Sequence, residues 1–460
     1  MIETSANLGA DPHEHGAEGG LTIGRGAFAA RFEEHFERRV DGASLAVVRL
    51  VFGTVGALSA WRLLSYGWVD ALYASPAHHF TYPGLHWVRP PPQPGMTALV
   101  VVMGVAAVGV AVGWHYRWAM GIFLFSFGWI EAIDVATYLN HYWFLTTFGI
   151  VLWFFPPAAT VRAGTIWFLR FLIAVVYGFA GLAKLNTTWL VDGAPLRFWL
   201  PARADLPFLG TFLAQPNAAT AMSWGGAIFD CSIVTLLLLR RTRPVAWLLV
   251  VTFHLATWVL FPIGVFPFLM IGATTVFFDP NWPRQLAARL RRASPPTDRV
   301  ATSLAPPKPM GRAGRVAIAM VCLLSVVVPL RHLLYPGDAA WTNEGYRFSW
   351  NVLLNEKAGS VAFHVTDSAT GLTHVTSGER LFTPLQYRVM STDPELIRQA
   401  AHLIASEASR TGRRPVVRVD AWVSLNGGPA APLIDPTVDL AAEPGRLTPQ
   451  PWILPAPTVR

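Results

Sequence analysis

Lys184 ends an apolar run, residues 174–183, in a chain that otherwise leaves its positive charge to arginine. Lys184, Lys308 and Lys357 are the three lysines among 36 Lys plus Arg. Arginine stays protonated under ordinary conditions, whereas a desolvated lysine amine can release its proton and act as a base. A lysine at a helix end can equally run its stem along the bilayer and place its charge at the interface. Asn140-His141 and His332 also stand at the ends of apolar runs. Each alone suits a satisfied interfacial position, and together they suggest a site opening to one side of the membrane. Within the apolar segments lie Glu131, Asp134, Asp230 and His254. Ionisable groups at such depth are costly and turn towards the bundle interior, as proton relays or as pins between helices. Pinning is the expectation for Asp230. Glu131 and Asp134, three residues apart, would share one helix face. No metal-ligand spacing, phosphate-cradling glycine loop or G-x-S-x-G elbow occurs in the sequence.

The elements that must position these residues are membrane helices. Hydrophobic residues make up 53% of the 460 and charged residues 14%, against about 25% charged in soluble domains. About nine segments have the length a bilayer requires: 43–66, 96–113, 118–137, 142–157, 165–185, 219–239, 244–261, 263–278 and 314–334. A Phe261-Pro262-Ile263-Gly264 turn divides the seventh from the eighth. One set of loops holds the N-terminal arginines, Arg117, Arg162, Arg240-Arg241-Thr242-Arg243 and an Arg-rich stretch from 284 to 312. The other set holds little beyond Arg89, Arg197 and Arg203. The positive-inside rule places the first set in the cytoplasm. The net charge of +8 is then loop charge rather than a nucleic-acid face. The N-terminus is inside, the chain after about Tyr335 is outside, and Asn140-His141, Lys184 and His332 share the outer membrane level.

Residues 1–25 read as a disordered tail. Residues 26–42 place Phe28, Phe32 and Phe36 four apart among Arg31, Arg38 and Arg39. That pattern suits a short amphipathic helix lying on the inner membrane surface or on the protein's own inner face. Residues 43–334 form the membrane domain, with a cytoplasmic linker at 294–309. Residues 335–460 are polar, with alternating runs at 360–366 and 416–424, a helix at 394–409, and turn residues Asn426-Gly427-Gly428-Pro429. The expected fold is a polytopic α-helical membrane bundle carrying a small α+β extracytoplasmic domain. Tyr346 and Trp350 follow the last span closely and are expected to help that domain close over the membrane site and bind substrate. Cys231 and Cys322 sit within apolar runs, where a structural disulfide is not expected.

At these residues the sequence resembles the vitamin K-dependent γ-carboxylases and their bacterial homologues, whose membrane part is called the HTTM domain. The likeness runs from about Ala43 to near the C-terminus. It rests on Asn140-His141, Gly181-Leu182-Ala183-Lys184-Leu185, Phe253-His254 followed by Ile263-Gly264, and Asn281-Trp282-Pro283-Arg284. It continues through Trp341-Thr342-Asn343, Tyr346, Ser349-Trp350, Trp422-Val423-Ser424 and Ile434-Asp435-Pro436. The resemblance implies that Lys184 deprotonates reduced vitamin K, a menaquinol-type hydroquinone, with Asn140 and His141 supporting the reacting centre. It gives His254 and His332 functional roles, and makes O2 and CO2 co-substrates. Epoxide formation would drive carboxylation of a glutamate in a protein or peptide partner, with no metal. The animal enzymes have Lys-Lys where Ala183-Lys184 stands here, and Cys231 and Cys322 cannot form their lumenal disulfide. The likeness therefore supports the catalytic core more than the substrate of the animal enzymes. An inner-membrane protein of a bacterium is the implied setting.

Two other readings are compatible with the residues: quinol epoxidation without carboxylation, and a transporter or lipid-binding membrane protein. A transport path would spread polar groups across the bilayer and commonly shows inverted repeats. Here the polar groups gather towards one side. Replacing Lys184 by Ala is expected to leave folding intact, because a helix end tolerates Ala well.

Overall fold

The computed structural model describes residues 34–292, 310–409 and 414–457. The expected tail at 1–25, most of the expected surface helix and the linker at 294–309 lie outside the described residues. What is described of 26–42 corrects the helix. A helical turn at 34–37 gives way to strand β1, Arg39–Asp41, antiparallel to β2, Thr160–Arg162, with Val40 opposite Val161. Asp41 ends this strand before the Ala43–Ser65 helix begins, accepting from the Ala43 amide at 2.8 Å and pairing with Arg284 at 2.8 Å. Phe36 packs on Phe168 with ring centres 6.2 Å apart.

The apolar runs form helices. They are α1 Ala43–Ser65, α2 Gly95–Val112, α3 Tyr116–Ile133, α4 Asn140–Phe154, α5 Ala163–Lys184, α6 Pro216–Leu238, α7 Arg243–Leu260, α8 Phe266–Ala273 and α9 Arg312–Leu330. Six helices are long and apolar enough to cross a membrane: α1, α2, α5, α6, α7 and α9 extended to Leu334. The other three expected spans are occupied by α3, α4 and the shorter α8, which runs on as a 3-10 turn to Phe277. The 261–264 turn separates α7 from α8 as its Pro-Ile-Gly sequence requires. Side chains such as Phe52, Phe123, Phe148, Met120 and Leu169 fill the bundle interior.

The C-terminal region contains a four-stranded sheet in the order β4-β3-β5-β6. Its centre is β3, Lys357–Thr366, antiparallel to β5, Val416–Leu425. Edge strand β4 is Thr373–Thr376 and β6 is Ala431–Pro432. Strand periodicity places Val361, Phe363 and Val365 beside Val417, Val419, Ala421 and Val423 on one buried face. Two helices follow β4: α10, Pro384–Met390, and α11, Pro394–Ala408. The buried stripe Leu396, Ile397, Ala400, Ala401 and Ile404 of α11 shares a core with the sheet. Phe80, Val135 and Ala136, from the helical half, are part of that same core. The two halves are thereby joined by buried apolar contact.

Candidate functional site

Helix α5 delivers Lys184 at its last turn. Gly181, one turn earlier, lets α5 approach α6 closely: a Cβ there would lie 2.9 Å from Cys231 Sγ and 3.0 Å from the Cys231 amide. That approach brings Asp230 to Lys184, with Nζ and Oδ2 2.7 Å apart. The lysine is 6% and the aspartate 5% exposed, so Lys184 is not extended to the membrane surface. Its amine also donates to the Ala180 carbonyl at 3.2 Å and lies 5.4 Å from the Trp189 ring centre. Asp230 thus pins α6 to α5 and is at the same time the proton-accepting neighbour of the lysine.

Tyr177 stands two helical turns before Lys184 on the same face of α5. Its hydroxyl is 2.8 Å from Nε2 of His254 on α7, and both groups are buried. The first residue of α8, Phe266, lies beyond. Its ring centre is 6.4 Å from that of His254 and 5.0 Å from that of His141, against which it stacks at 23°. Phe266 therefore stands between the two histidines.

His141 faces a cavity of about 470 Å³. Its apolar walls include Leu63, Met103, Phe127, Leu145 and Leu269, and its polar groups include Arg62, Glu131, His141 and Tyr142 together with the hydroxyls of Ser59, Tyr73, Thr137 and Tyr138. Leu385 and Arg388 of α10 complete it from the C-terminal region. Lys184 is not among the lining residues. Glu131 lines the cavity with Oε2 buried and without a hydrogen-bond partner. A cavity of this volume with mostly apolar walls and placed polar groups can hold a small organic ligand.

Residues 346–354 descend from the C-terminal region onto the bundle. Trp350 is 3% exposed, packs within the membrane core and meets Phe144 edge to face at 6.4 Å. Phe348, Trp350 and Leu353 all adopt positive φ, 63°, 60° and 58°. Bulky side chains rarely occupy that region, and strain of this kind is retained where surrounding packing over-determines it. Asn140 joins this segment. Its side-chain oxygen accepts from the Tyr138 hydroxyl at 2.7 Å, and that hydroxyl accepts from the Phe348 amide at 2.7 Å. Asn140 Nδ2 donates to the Asn351 carbonyl at 3.5 Å. Tyr346 donates to the same carbonyl at 3.2 Å and accepts from Asn355 at 2.8 Å. Burial pushes the Tyr346 hydroxyl up to about 12, keeping it a donor at neutral pH.

Two expected placements change. Asp134 does not share a helix face with Glu131: α3 ends at Ile133, and Asp134 is extended with φ −142°. Its carboxylate accepts from the Ala136 amide at 2.8 Å and from Gln386 at 2.7 Å, and meets His79 at 3.1 Å. It clamps α10 to the helical half. His332 does not line the His141 cavity and is not among the hydrogen-bond partners of Lys184. Its Nδ1 is 2.7 Å from the Pro329 carbonyl, and Gly345, at φ +70°, packs against its backbone. Sequence reasoning did not single out Tyr177, Arg62 or Phe266. The seven-residue spacing from Lys184 was a usable signal for Tyr177, and a charged residue near the end of an apolar helix was one for Arg62. Phe266 carried none.

Among the described residues no cluster of His, Cys, Asp or Glu is arranged to hold a metal, and Cys231 and Cys322 are free. Comparison with known families gives two matches: the HTTM domain over residues 37–282, and the vitamin K-dependent gamma-carboxylase, lumenal domain, over residues 311–459. No solved structure matches the chain. The first match contains Lys184, Asp230 and His141, and the second contains Tyr346 and Trp350.

Proposed function

Because the chain belongs to the vitamin K-dependent γ-carboxylase family, we propose that it couples oxygenation of a reduced naphthoquinone to carboxylation of a glutamyl residue. The observation that carries this reading is the buried Lys184–Asp230 pair, in a bundle that also holds a largely apolar cavity walled in part by the C-terminal region. When bound, the reduced naphthoquinone supplies, with O2, the strong base that a lysine amine cannot itself provide for a glutamyl γ-proton. Lys184 passes its own proton to Asp230 and accepts the hydroxyl proton in its place, and Asp230 also holds Nζ in position. Phe266, between His141 and His254, separates the cavity from the Tyr177–His254 pair, so the reading requires its side chain to yield during turnover. His141 faces the cavity and directs a hydrogen bond at developing negative charge, and Asn140 beside it supports the site by holding Tyr138 and the 346–354 segment. Arg62 supplies a fixed positive charge to a carboxylate in the same cavity. The apolar walls and the seated 346–354 segment keep water from the strong base.

We place the membrane unit at 43–334, crossing about nine times with the N-terminus in the cytoplasm. Residues 335–460 then form an extracytoplasmic cover, which gives a Glu-containing partner access from outside. The test is an assay of purified protein with reduced naphthoquinone, O2 and labelled bicarbonate, scoring epoxide and fixed label separately. Epoxide and label with a Glu-containing peptide are expected. Epoxide without label would reduce the activity to oxygenation, and neither product would overturn the reading.

A further inference from the structure

The Glu131 carboxyl is a polar group that nothing in the proposed chemistry uses. It sits on the last turn of α3, its Oε2 is buried, and no hydrogen bond or ion pair reaches it among the described residues. A buried carboxyl without a partner is strongly unfavourable, and such groups in native proteins serve a ligand or a function. The nearest neighbours do not relieve it. Arg62 lines the same cavity, but its guanidinium lies over the rings of Tyr66 and Trp68, at 5.8 and 5.3 Å, without pairing to Glu131. Asp134 three residues later is fully engaged by Gln386, His79 and a backbone amide. The hydroxyls of Ser59, Tyr73, Thr137, Tyr138 and Tyr142 line the same cavity, and none of them bonds Oε2. A ligand that fills the cavity must therefore bring the partner with it.

We infer that Glu131 is the anchor for one ring oxygen of the naphthoquinol. This rests on the reading of the cavity as the ring site and adds the residue that sets the ring's orientation there. A carboxyl retains an acceptor oxygen in either protonation state, so it can take the hydrogen of a ring hydroxyl. The two ring oxygens of a 1,4-naphthoquinol lie across the ring from each other. Holding one at Glu131 turns the other away from α3 and presents a single hydroxyl to the base. The same contact makes the cavity prefer rings that carry an oxygen at the anchored position, because an analogue lacking it leaves the carboxyl unpartnered.

The experiment is an anaerobic equilibrium titration of the detergent-solubilised full chain, read by quenching of tryptophan fluorescence. The ligands are menaquinol and its two mono-hydroxy analogues, naphthols with the same isoprenoid tail lacking one or the other ring oxygen. The proteins are wild type, Glu131→Leu and Glu131→Gln. Wild type is expected to bind one of the two naphthols about tenfold or more weaker than menaquinol, the scale of one buried hydrogen bond. Glu131→Leu should bind menaquinol and that naphthol alike, and Glu131→Gln, which keeps an acceptor, should retain the discrimination. If Glu131→Leu still discriminates as wild type does, the anchor assignment fails while the cavity reading stands. If Leu145→Trp, which fills the cavity, leaves wild-type affinity for menaquinol unchanged, the ring is not in the cavity and both readings fall. Should Glu131→Leu not fold, Glu131→Met takes its place, and discrimination undiminished from wild type in that variant would overturn the anchor assignment.

Discussion

Lys184 on α5 and Asp230 on α6 form an ion pair of 2.7 Å with both side chains almost wholly buried. Breaking a buried pair by removing one member leaves an uncompensated charge and costs about 3–5 kcal/mol. Lys184→Ala is therefore expected to abolish epoxide formation and also to lower thermal stability, in contrast to the intact folding that a tolerant helix end suggested. Lys184→Ala/Asp230→Ala should recover part of the lost stability and none of the activity, the coupling expected of residues in contact. Thermal unfolding in detergent beside an epoxide assay reads both. Lys184→Arg should fold and fail to epoxidise, since guanidinium cannot accept a proton. Near-native epoxidation by that variant would remove the base role.

The seating of Trp350 predicts a separable effect. Trp350→Ala removes a large side chain from the membrane core at a cost of about 3–5 kcal/mol. It also loosens the segment that Asn140 and Tyr138 hold. Faster hydrogen exchange in residues 343–355, with little change in the sheet of β3 and β5, is expected. Unchanged exchange there would mean that Trp350 does not fasten the cover. Truncation at Tyr335 should remove epoxide formation. A stable truncated protein with full epoxidation would separate the C-terminal region from the oxygenation site.

Lys357, at the start of β3, is held by the Trp341 and Thr392 carbonyls and Asn343 Oδ1 at 2.6, 3.0 and 3.0 Å. Burial pushes its amine down to about 8 despite the nearby Asp393 carboxylate. Between about pH 8 and the ordinary lysine value the unfolded chain binds more protons than the folded one. Stability therefore rises with pH across that window, by at most about 3 kcal/mol. Lys357→Met should lack this rise. Parallel pH profiles of the two proteins in thermal unfolding would show that the amine is not depressed.

The orientation derives from loop arginines and has a direct check. A reporter active on one side of the membrane, fused at Arg241 and separately at the C-terminus, should respond at one point only. The same response at both would overturn an odd number of spans.

Consecutive residues determined the helices and strands. Apolar stretches of bilayer length became α1, α2, α5, α6, α7 and α9, and the alternating runs became β3 and β5. Residues 394–409 gave α11 because the apolar spacing and the Asp393 cap, which accepts from the Glu395 and Leu396 amides, agree. These are properties of neighbours in the chain, so the sequence carries them locally. Tertiary structure alone decided the partners. Asp230 is 46 residues from Lys184, and the pairing depends on how closely two helices cross at Gly181. Glu131 and Asp134, adjacent on any helical wheel, part company because α3 stops between them, leaving one carboxyl in a cavity and the other clamped to α10. Trp350, which sequence placed only soon after the last span, enters the core through a segment whose backbone takes up left-handed conformations at Phe348, Trp350 and Leu353 that no local preference favours. Each outcome depends on packing between distant segments, and the spacing of residues along the chain does not encode it.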